Sequence, residues 1–344
     1  MNHEFLGGTA FLAFPDMKNL LVSELARRFS YGAVENAPTI DGTSFQLGEA
    51  RWYGDLLYCP DFVPQNDSHG SPVLPYWART AMLSPKLVHF SSIGEAAGTL
   101  RAIQRNWAPY QYQLFRRASL IQDKLPHINL KARKFPTQVP ATPMGLYTLT
   151  DANTMIVSEE TNSPLPAGKI EFEEDHENPP SRAYLKLEES LTLFSTFFGS
   201  PLPKEGDKCF EAGACPGGWT YVLRLLGADV LAVDRAELAP SLMADNHVTF
   251  RAHDAFTLKP GDIERDFGKI DWLFSDVICY PERLYEWIMM WIASKKVRNI
   301  ICTIKMQGEI DWELIKKFSQ IENSRIVHLN YNKHELTIMI RRSE

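Results

Sequence analysis

A glycine-rich turn carries the most specific chemical signal in this sequence. The residues from Phe210 to Thr220 read Phe-Glu-Ala-Gly-Ala-Cys-Pro-Gly-Gly-Trp-Thr, and they lie between an apolar strand pattern and a helical pattern. A second apolar run, 230–233, follows and ends in Asp234. Glycines let the backbone approach a ligand closely, and an acid at the tip of the next strand accepts hydrogen bonds from two ribose hydroxyls. The pattern predicts a nucleoside-binding βαβ unit.

The ligand of this turn is expected to contain a ribose and a base but no phosphate. A dinucleotide site has the pattern Gly-x-Gly-x-x-Gly and places a pyrophosphate at the helix N-terminus. In this chain Pro216 removes one of the N–H groups that a phosphate would use. The cofactor S-adenosyl-L-methionine fits these features better than a nicotinamide dinucleotide does.

Alternating strands and helices from residue 181 onward are expected to position the turn. A helix over 181–194 comes first, with Ser181 as its expected N-cap. Strands are predicted at 207–212, 229–234, 248–252, 270–276 and 298–305, and helices at 217–226, 239–245, 282–294 and 309–321. Two last strands, 325–331 and 335–341, are expected to form a hairpin. The alternation predicts an α/β fold with a mostly parallel sheet that is covered on both faces.

Charged residues follow the ends of several of these strands. Ligands of open α/β sheets bind beyond the carboxyl ends of the strands. Asp254, Asp276 and Lys305 come at such ends, and Glu335 begins an antiparallel strand at the same edge, while Lys186 lies on the preceding helix. A lysine accepts a proton from a hydroxyl only if its pKa falls well below the usual value of about 10.4. Burial and a second ammonium group both lower it, so this rim is a candidate site for general base catalysis.

The segment 181–341 resembles the FtsJ-type RNA ribose 2′-O-methyltransferases. These enzymes share a Lys-Asp-Lys-Glu tetrad and the turn Asp-x-Gly-Ala-x-Pro-Gly-Gly, and here Glu211 takes the place of the usual Asp. The motifs Pro-Ser-Arg, Leu-Lys-Leu-Glu-Glu and Gly-Ala-Cys-Pro-Gly-Gly-Trp-Thr-Tyr resemble most sharply the bacterial members that act on large-subunit ribosomal RNA. The resemblance implies a Rossmann-like class I methyltransferase domain with an antiparallel last strand.

The resemblance also implies roles for single residues. Lys305 is expected to be the base, oriented and tuned by Asp276 and Lys186, and Glu335 is expected to hold Lys186 or the ribose. Asp234 is expected to bind the cofactor ribose and Asp254 the adenine amino group. The expected catalytic residues are Lys186, Asp276, Lys305 and Glu335, and the expected cofactor-binding residues are Glu211, Gly213, Ala214, Pro216, Gly217, Gly218, Trp219, Asp234, Asp254 and Asp276.

The first half of the chain predicts a smaller α+β domain. A strand at 11–14 and a helix at 20–29 open it, followed by short strands near 45–47 and 55–58 and by helices at 93–103 and 111–125. The segment 101–134 contains eight basic residues and one acid, interleaved with aromatics. Such a pattern suits RNA, although a solvated helix face above core aromatics produces it equally well. The expected RNA-binding residues are Arg101, Arg105, Arg116, Arg117, Lys131, Arg133 and Lys134.

An acidic segment separates the two halves. Residues 151–177 contain eight acids and one lysine, so this segment is expected to face away from RNA or to screen the edge of the site. Asn178-Pro179-Pro180 favours a linker. We therefore expect an RNA-binding domain at 1–165, which the resemblance implies is ferredoxin-like or THUMP-like, then a linker at 166–180 and the methyltransferase domain at 181–344.

Composition limits the classes of protein. The 344 residues carry a net charge of −6 and are 44% apolar, as in soluble globular proteins. No apolar run is long enough to span a bilayer, the histidines lack metal-ligand spacing, and the five cysteines are scattered without a Cys-x-x-Cys pair. These features predict a cytoplasmic protein with free thiols, without a metal and without a membrane partner.

Taken together, these patterns predict S-adenosyl-L-methionine-dependent 2′-O-ribose methylation of RNA. By resemblance the acceptor is a cytidine of large-subunit ribosomal RNA, presented as naked RNA or in a pre-ribosomal particle. A cysteine nucleophile of the cytosine-5 type is disfavoured, because Cys279 lacks a preceding proline and Lys305 would be left without a role. The alternative is a non-catalytic RNA-binding ribosome-assembly factor that retains the fold, and the intact tetrad argues against it.

Overall fold

A computed structural model describes residues 3–34, 37–39, 49–67, 70–140 and 142–343. The chain forms two compact units. The N-terminal unit contains Met1–Ala132 and Val139–Glu171, and the C-terminal unit contains Arg133–Gln138 and Phe172–Glu344. In the part of the chain that is described, no helix combines the length and apolar character needed to cross a lipid bilayer.

The N-terminal unit is an α+β structure, as predicted. Its elements are β1 (His3–Phe5), β2 (Thr9–Ala13), α1 (Lys18–Arg28), β3 (Arg51–Tyr53), β4 (Leu56–Cys59), β5 (Ala78–Met82), β6 (Lys86–His89), α2 (Ile93–Ile103), β7 (Trp107–Pro109), α3 (Phe115–Gln122), β8 (Gly145–Asp151) and β9 (Thr154–Ser158). They form a four-stranded sheet in the order β3-β4-β2-β5 and a five-stranded sheet in the order β1-β6-β9-β8-β7. Buried residues of α2 and α3 share one apolar core with the five-stranded sheet.

Three expectations for this unit need correction or fall outside the description. The helix predicted at 111–125 begins only at Phe115, because Leu114 has a left-handed backbone that ends the helical geometry there. The acidic segment contains the buried strand β9, since Met155, Ile156 and Val157 interrupt the run of charges. The strand predicted at 45–47 lies outside the described residues.

The C-terminal unit has the predicted doubly wound sheet. Its elements are α4 (Ala183–Phe198), β10 (Lys208–Ala212), α5 (Gly218–Leu225), β11 (Asp229–Asp234), α6 (Pro240–Met243), β12 (Val248–Ala252), α7 (Pro260–Phe267), β13 (Trp272–Ser275), α8 (Pro281–Ser294), β14 (Asn299–Lys305), α9 (Trp312–Ser319), β15 (Ser324–Val327) and β16 (Glu335–Arg341). The strand order is β12-β11-β10-β13-β14-β16-β15. The five strands from β12 to β14 are parallel, and β16 runs antiparallel between β14 and β15. The antiparallel last strand is therefore confirmed.

Two local expectations in this unit were wrong. Ser181 does not cap α4, because the helix begins at Ala183 after Arg182 and no side chain caps it; the Ser181 carbonyl instead accepts the N–H of Tyr184 at 3.4 Å. The helix α7 was not predicted, since half of its eight residues are charged and only Ile263 and Pro260 are buried.

A short piece of chain from the middle of the sequence belongs to the C-terminal unit. We call residues 133–138 the crossing segment, because the chain enters the C-terminal unit there and then returns to the N-terminal one. Arg133 forms a parallel bridge with Phe172 and accepts the N–H of Glu173 at 2.9 Å. The rings of Phe135 and Phe172 meet edge to face at 6.1 Å, and the Tyr331 hydroxyl accepts the N–H of Phe172 at 3.1 Å.

Candidate active site

Strand direction brings the predicted catalytic residues to one edge of the C-terminal sheet. Lys305 ends β14 and Glu335 begins β16, and the antiparallel register places these two residues directly opposite each other. Asp276 follows the last residue of the parallel strand β13, so it lies at the same edge. The helix α4 supplies Lys186 from its second turn. Three residues that are far apart in sequence therefore meet because of the order of their strands, and α4 adds Lys186 to them.

The four side chains form a closed cluster of alternating charge. Lys186 Nζ lies 2.7 Å from Glu335 Oε1 and 3.2 Å from Asp276 Oδ1. Lys305 Nζ lies 2.7 Å from the same Asp276 Oδ1 and 3.8 Å from Glu335 Oε1. Each lysine thus contacts both acids, and the two ammonium groups share one oxygen of Asp276.

Charge pairing outweighs burial in this cluster. Burial alone would lower the pKa of Lys186, but the carboxylates of Asp276 and Glu335 raise it above its ordinary value. Burial would raise the pKa of Asp276 and of Glu335, yet the neighbouring lysines hold both below their usual range. Lys186 therefore does not have the lowered pKa that a general base needs, and it remains a fixed cation between two anions.

The two lysines differ in accessibility. The Lys186 side chain is 8% exposed and that of Lys305 is 17% exposed. Lys186 bonds to both oxygens of Asp276 as well as to Glu335. Lys305 approaches Asp276 closely but stands further from Glu335. Of the two amines, Lys305 is the one that an incoming hydroxyl reaches more readily.

The turn that carries Glu335 is fixed to α4 by a residue that the sequence reasoning missed. Glu189 is buried on α4, and its Oε1 accepts the backbone N–H of Asn330 at 3.0 Å and the side-chain amide at 2.8 Å. Its Oε2 accepts the N–H of Tyr331 at 3.2 Å. Asn332 donates to the Glu335 carbonyl at 3.1 Å and so closes the same turn. The motif Leu-Lys-Leu-Glu-Glu did contain a sign of this role. It places Glu189 three residues after Lys186 on a largely apolar helix, where an acid is expected to have a specific partner.

The glycine turn between β10 and α5 adopts a geometry that a larger residue would prevent. Gly213 has a φ of 78°, and a Cβ there would lie 2.5 Å from Val277 Cγ2. Gly218 begins α5, and a Cβ there would lie 2.6 Å from Ser181 Oγ. Ala214, Pro216 and Gly217 complete the turn, and the Cys215 N–H donates to Asp234 Oδ2 at 3.0 Å. The turn is therefore packed against Val277 and the start of α4, and it is hydrogen-bonded to the tip of β11.

Ser181 is a second residue whose role the sequence reasoning missed. Its hydroxyl is buried and has no hydrogen-bond partner among the described residues. A buried polar atom normally has a partner, so an orphaned hydroxyl next to a glycine turn marks a place where a polar group of a ligand fits. The sequence offers only its position five residues before Lys186, because its proximity to Gly218 arises from the fold.

Three other predicted cofactor residues have protein partners in the structure. Glu211 is buried in β10 and accepts a hydrogen bond from Thr220 Oγ1 at 2.6 Å, and burial raises the pKa of its carboxyl to about 8. The Trp219 Nε1–H donates to the Ala183 carbonyl at 3.0 Å, which ties α5 to the start of α4. Asp254 contacts the guanidinium of Arg283 at 3.0 Å and also that of Arg235.

The cysteines near the rim are not suited to act as nucleophiles. Burial raises the pKa of the Cys279 thiol to about 11, and burial raises that of Cys302 well above its ordinary value. A thiol attacks as the thiolate, so both groups are inert near neutral pH. The raised pKa values therefore disfavour the cysteine-nucleophile alternative.

The predicted RNA-binding residues divide between the two units. Arg133 and Lys134 lie in the crossing segment of the C-terminal unit. Those that lie in the N-terminal unit are Arg101, Arg105, Arg116, Arg117 and Lys131. The basic segment 101–134 therefore contributes residues to both units, and the residues of each unit are to be tested separately.

The part of the chain that contains the sheet, the glycine turn and most of the charged cluster is similar to a known family of proteins. Residues 179–326 match the family described as FtsJ-like methyltransferase. The C-terminal unit is an FtsJ-like methyltransferase domain. The matched range includes Lys186, Asp276 and Lys305, while Glu335 lies beyond it.

Curated relatives of this chain carry the name ribosomal RNA large subunit methyltransferase M. The relative from Alteromonas mediterranea is 32% identical over 176 residues, which cover 48% of this chain and 47% of the relative. The relative from Histophilus somni is 25% identical over 345 residues, 90% of each chain. The chain thus spans about half the length of the first relatives that it matches, and the recognition of this group from its motifs is confirmed.

A solved structure described as a putative ribosomal RNA methyltransferase from Plasmodium falciparum also aligns with this chain. It covers 47% of this chain and 96% of its own, at 15% identity and a TM-score of 0.35. That score is too low to support an inference, and the fold class rests on the strand order given above.

Proposed function

We propose that this protein transfers a methyl group from S-adenosyl-L-methionine to a ribose 2′-hydroxyl of RNA. The observation that carries the proposal is the cluster of Lys186, Asp276, Lys305 and Glu335 at the same sheet edge as the glycine turn. By similarity to the curated relatives, the RNA is large-subunit ribosomal RNA, and the acceptor that the motifs imply is a cytidine. The reaction would take place in the cytoplasm, on naked RNA or on a pre-ribosomal particle.

The residues around the turn fit S-adenosyl-L-methionine. Gly213 and Gly218 allow a close approach of the backbone that a Cβ would prevent, and the buried Ser181 hydroxyl lacks a protein partner among the described residues. Asp234 lies at the tip of the next strand, where an acid suits the ribose hydroxyls. When bound, this cofactor supplies an electrophilic methyl group attached to a positively charged sulfur.

Lys305 is the proposed general base. A ribose hydroxyl is a weak nucleophile near neutral pH, so a base must remove its proton as its oxygen attacks. Lys305 is the more exposed of the two amines and takes that proton on Nζ when it is in its neutral form. Lys186 is held charged by the two acids, so it stays a cation beside the proposed base.

The two acids position the lysines. Asp276 binds both ammonium groups through one oxygen, so it fixes their separation. Glu335 contacts Lys186 at 2.7 Å and so holds that cation away from solvent. Fixed geometry of this kind aligns the hydroxyl with the methyl group, and alignment is a large part of the rate of a transfer reaction.

RNA is the substrate class that best matches the surroundings of the site. A ribose 2′-hydroxyl exists in RNA but not in DNA. Ile278 and Tyr280 are exposed directly after Asp276, while Val277 between them and the cluster packs against Gly213. These two exposed side chains offer apolar surface on which a nucleobase next to the acceptor ribose can stack.

Methyl transfer with a labelled cofactor tests the proposal. Total RNA from cells that lack this protein is incubated with labelled S-adenosyl-L-methionine and with the wild type, the Lys305→Ala variant or the Lys269→Ala variant. Lys269 is an exposed lysine that precedes β13 and serves as the matched control. We expect label in a 2′-O-methylnucleoside for the wild type and for Lys269→Ala, and a loss of at least a hundredfold for Lys305→Ala.

Two outcomes would contradict this proposal. Label in a methylated base instead of a ribose would refute the reaction. Cofactor binding without transfer to RNA or to isolated ribosomal particles would favour the alternative, a ribosome-assembly factor that retains the fold without catalysis.

A further inference from the structure

A pocket on the N-terminal unit combines apolar side chains with two arginines. It has a volume of about 540 Å³ and lies where α3 begins, next to the start of α2. Its lining residues are Ile93, Leu114, Phe115, Arg116, Arg117 and Leu120. All of these lining residues belong to the N-terminal unit, whereas the candidate active site is formed by residues of the C-terminal unit.

The apolar side chains of the pocket are presented to solvent. Phe115 is 58% exposed, and Leu114 and Leu120 are also exposed. Leu114 has a φ of 51° and a ψ of 36°, a left-handed conformation that is unfavourable for leucine and costs free energy. A strained residue at the edge of an exposed apolar pocket is typical of a binding site.

The charges around the pocket favour an anionic partner. Within residues 93–132, six side chains are basic and two are acidic, although the whole chain has a net charge of −6. Arg116 is exposed at the rim of the pocket. The guanidinium of Arg117 lies 5.5 Å from the centre of the Phe90 ring and donates to Asn153 at 3.4 Å, so it is held in place before any ligand binds.

We propose that this pocket binds an unpaired nucleotide of RNA, with its base stacked on Phe115 and its phosphate at Arg116. An aromatic ring beside a guanidinium suits a base and its phosphate together. A duplex would hide its bases inside the helix and would offer only phosphates, which gives no role to three exposed apolar side chains. The inference rests on the proposed function, because it specifies that the RNA substrate has a single-stranded region which the N-terminal unit holds.

Binding of short RNAs to the full-length protein tests this inference without any methyl transfer. The probes are a fluorescent twelve-nucleotide oligoadenylate and a twelve-base-pair RNA duplex, measured by anisotropy at several salt concentrations. The variants are Phe115→Ala and the control Phe5→Ala, which removes an exposed phenylalanine of the same unit outside the pocket. Thermal unfolding of each variant checks that the fold is intact.

We expect the wild type to bind the single strand more tightly than the duplex. Phe115→Ala should weaken single-strand binding roughly tenfold and leave duplex binding unchanged, as loss of one stacked base does. Phe5→Ala should match the wild type. In an Arg116→Glu variant both RNAs should bind more weakly, and the dependence on salt should be less steep.

Three results would overturn the inference. One is a folded Phe115→Ala protein that binds the single strand within twofold of the wild type. Another is equal or tighter binding of the duplex by the wild type. The third is displacement of the oligoadenylate by polyglutamate as effectively as by RNA, which would assign the pocket to an acidic protein partner.

Failure of the methyl-transfer assay and failure of this binding assay are distinguishable. Transfer by the wild type with no effect of Phe115→Ala on binding would leave the proposed function standing and refute the pocket. If Phe115→Ala loses RNA binding but the wild type methylates no RNA, the results would support the nucleotide-binding pocket and refute the proposed methyl transfer.

Discussion

Replacing Glu189 by Gln tests whether the turn that carries Glu335 is held from α4. Glu189 is 2% exposed and accepts three hydrogen bonds from Asn330 and Tyr331. Glutamine keeps one oxygen, which can still accept both bonds from Asn330. Its amide NH₂ group, however, would face the N–H of Tyr331, so a donor would meet a donor.

The structure gives the size of the expected effect. A hydrogen bond to a charged group contributes about 1.5–3 kcal/mol, and a buried donor without a partner costs about 1–3 kcal/mol. Because the substitution sets a donor against the Tyr331 N–H in place of its acceptor, we expect Glu189→Gln to lower the free energy of unfolding by about 1–3 kcal/mol, the cost of the unpaired donor. The Glu335 carboxylate should then shift relative to Lys186, and a displacement of about 1 Å can slow a reaction by roughly a hundredfold.

Glu188→Gln is the matched control on the same helix. Glu188 is also buried, but its Oε2 has no hydrogen-bond partner in the described part of the chain. Burial raises the pKa of this carboxyl to about 7, so a neutral amide changes little at that pH. We expect its free energy of unfolding to change by less than about 1 kcal/mol.

Urea unfolding and single-turnover methyl transfer provide the two measurements. We expect Glu189→Gln to lower the transfer rate at saturating cofactor while its cofactor affinity stays within twofold of the wild type. The reasoning fails if Glu189→Gln matches Glu188→Gln in stability and rate. Loss of cofactor affinity together with rate would show that the damage spreads beyond the turn.

Three further predictions follow from the site. Gly213→Ala should weaken cofactor binding at least tenfold by calorimetry, because Ala is strained at a φ of 78° and its Cβ would lie 2.5 Å from Val277 Cγ2; unchanged affinity would contradict this. The folded protein keeps a proton on Glu211, because its pKa of about 8 lies above the ordinary 4.5. The free energy of unfolding should therefore fall as pH rises between these two values, and in urea unfolding this fall should be shallower for Glu211→Gln. Parallel plots of the free energy of unfolding against pH for the two proteins would argue against the raised pKa. Reversing Arg116 and Arg117 to Glu should weaken RNA binding and preserve cofactor affinity, whereas loss of both would indicate misfolding.

The sheet and three of the four proposed catalytic positions, Asp276, Lys305 and Glu335, were predictable because strand direction fixes them. Once β14 is parallel and β16 antiparallel, Lys305 at the end of one and Glu335 at the start of the other must lie at the same edge. The apolar runs and the final hairpin were clear enough in the sequence to predict these strand directions. The directions of the pKa shifts were not predictable, since they depend on how closely Lys186 approaches two carboxylates.

Features that depend on tertiary contacts were missed. Ser181 matches the composition of an N-cap, and only the packing of α4 against Gly218 shows that its hydroxyl is not used in that way. The left-handed backbone of Leu114 has no local sequence signal, because leucine rarely adopts it. The helix α7 was missed because its sequence is rich in charged residues, and the burial of Ile263, which stabilises it, is visible only in the structure.

The crossing segment determines how the chain can be divided for experiments. The polypeptide changes unit after Ala132, Gln138 and Glu171, so no single cut yields two complete fragments. A fragment that begins at Phe172 would lose the Arg133 carbonyl that accepts the Glu173 N–H. A fragment that ends at Ala132 would lack β8 and β9, the two strands next to each other within the five-stranded sheet. The contacts of Arg133 with Phe172 and Glu173 can therefore form only after β8 and β9, which lie between them in the sequence, have been synthesised.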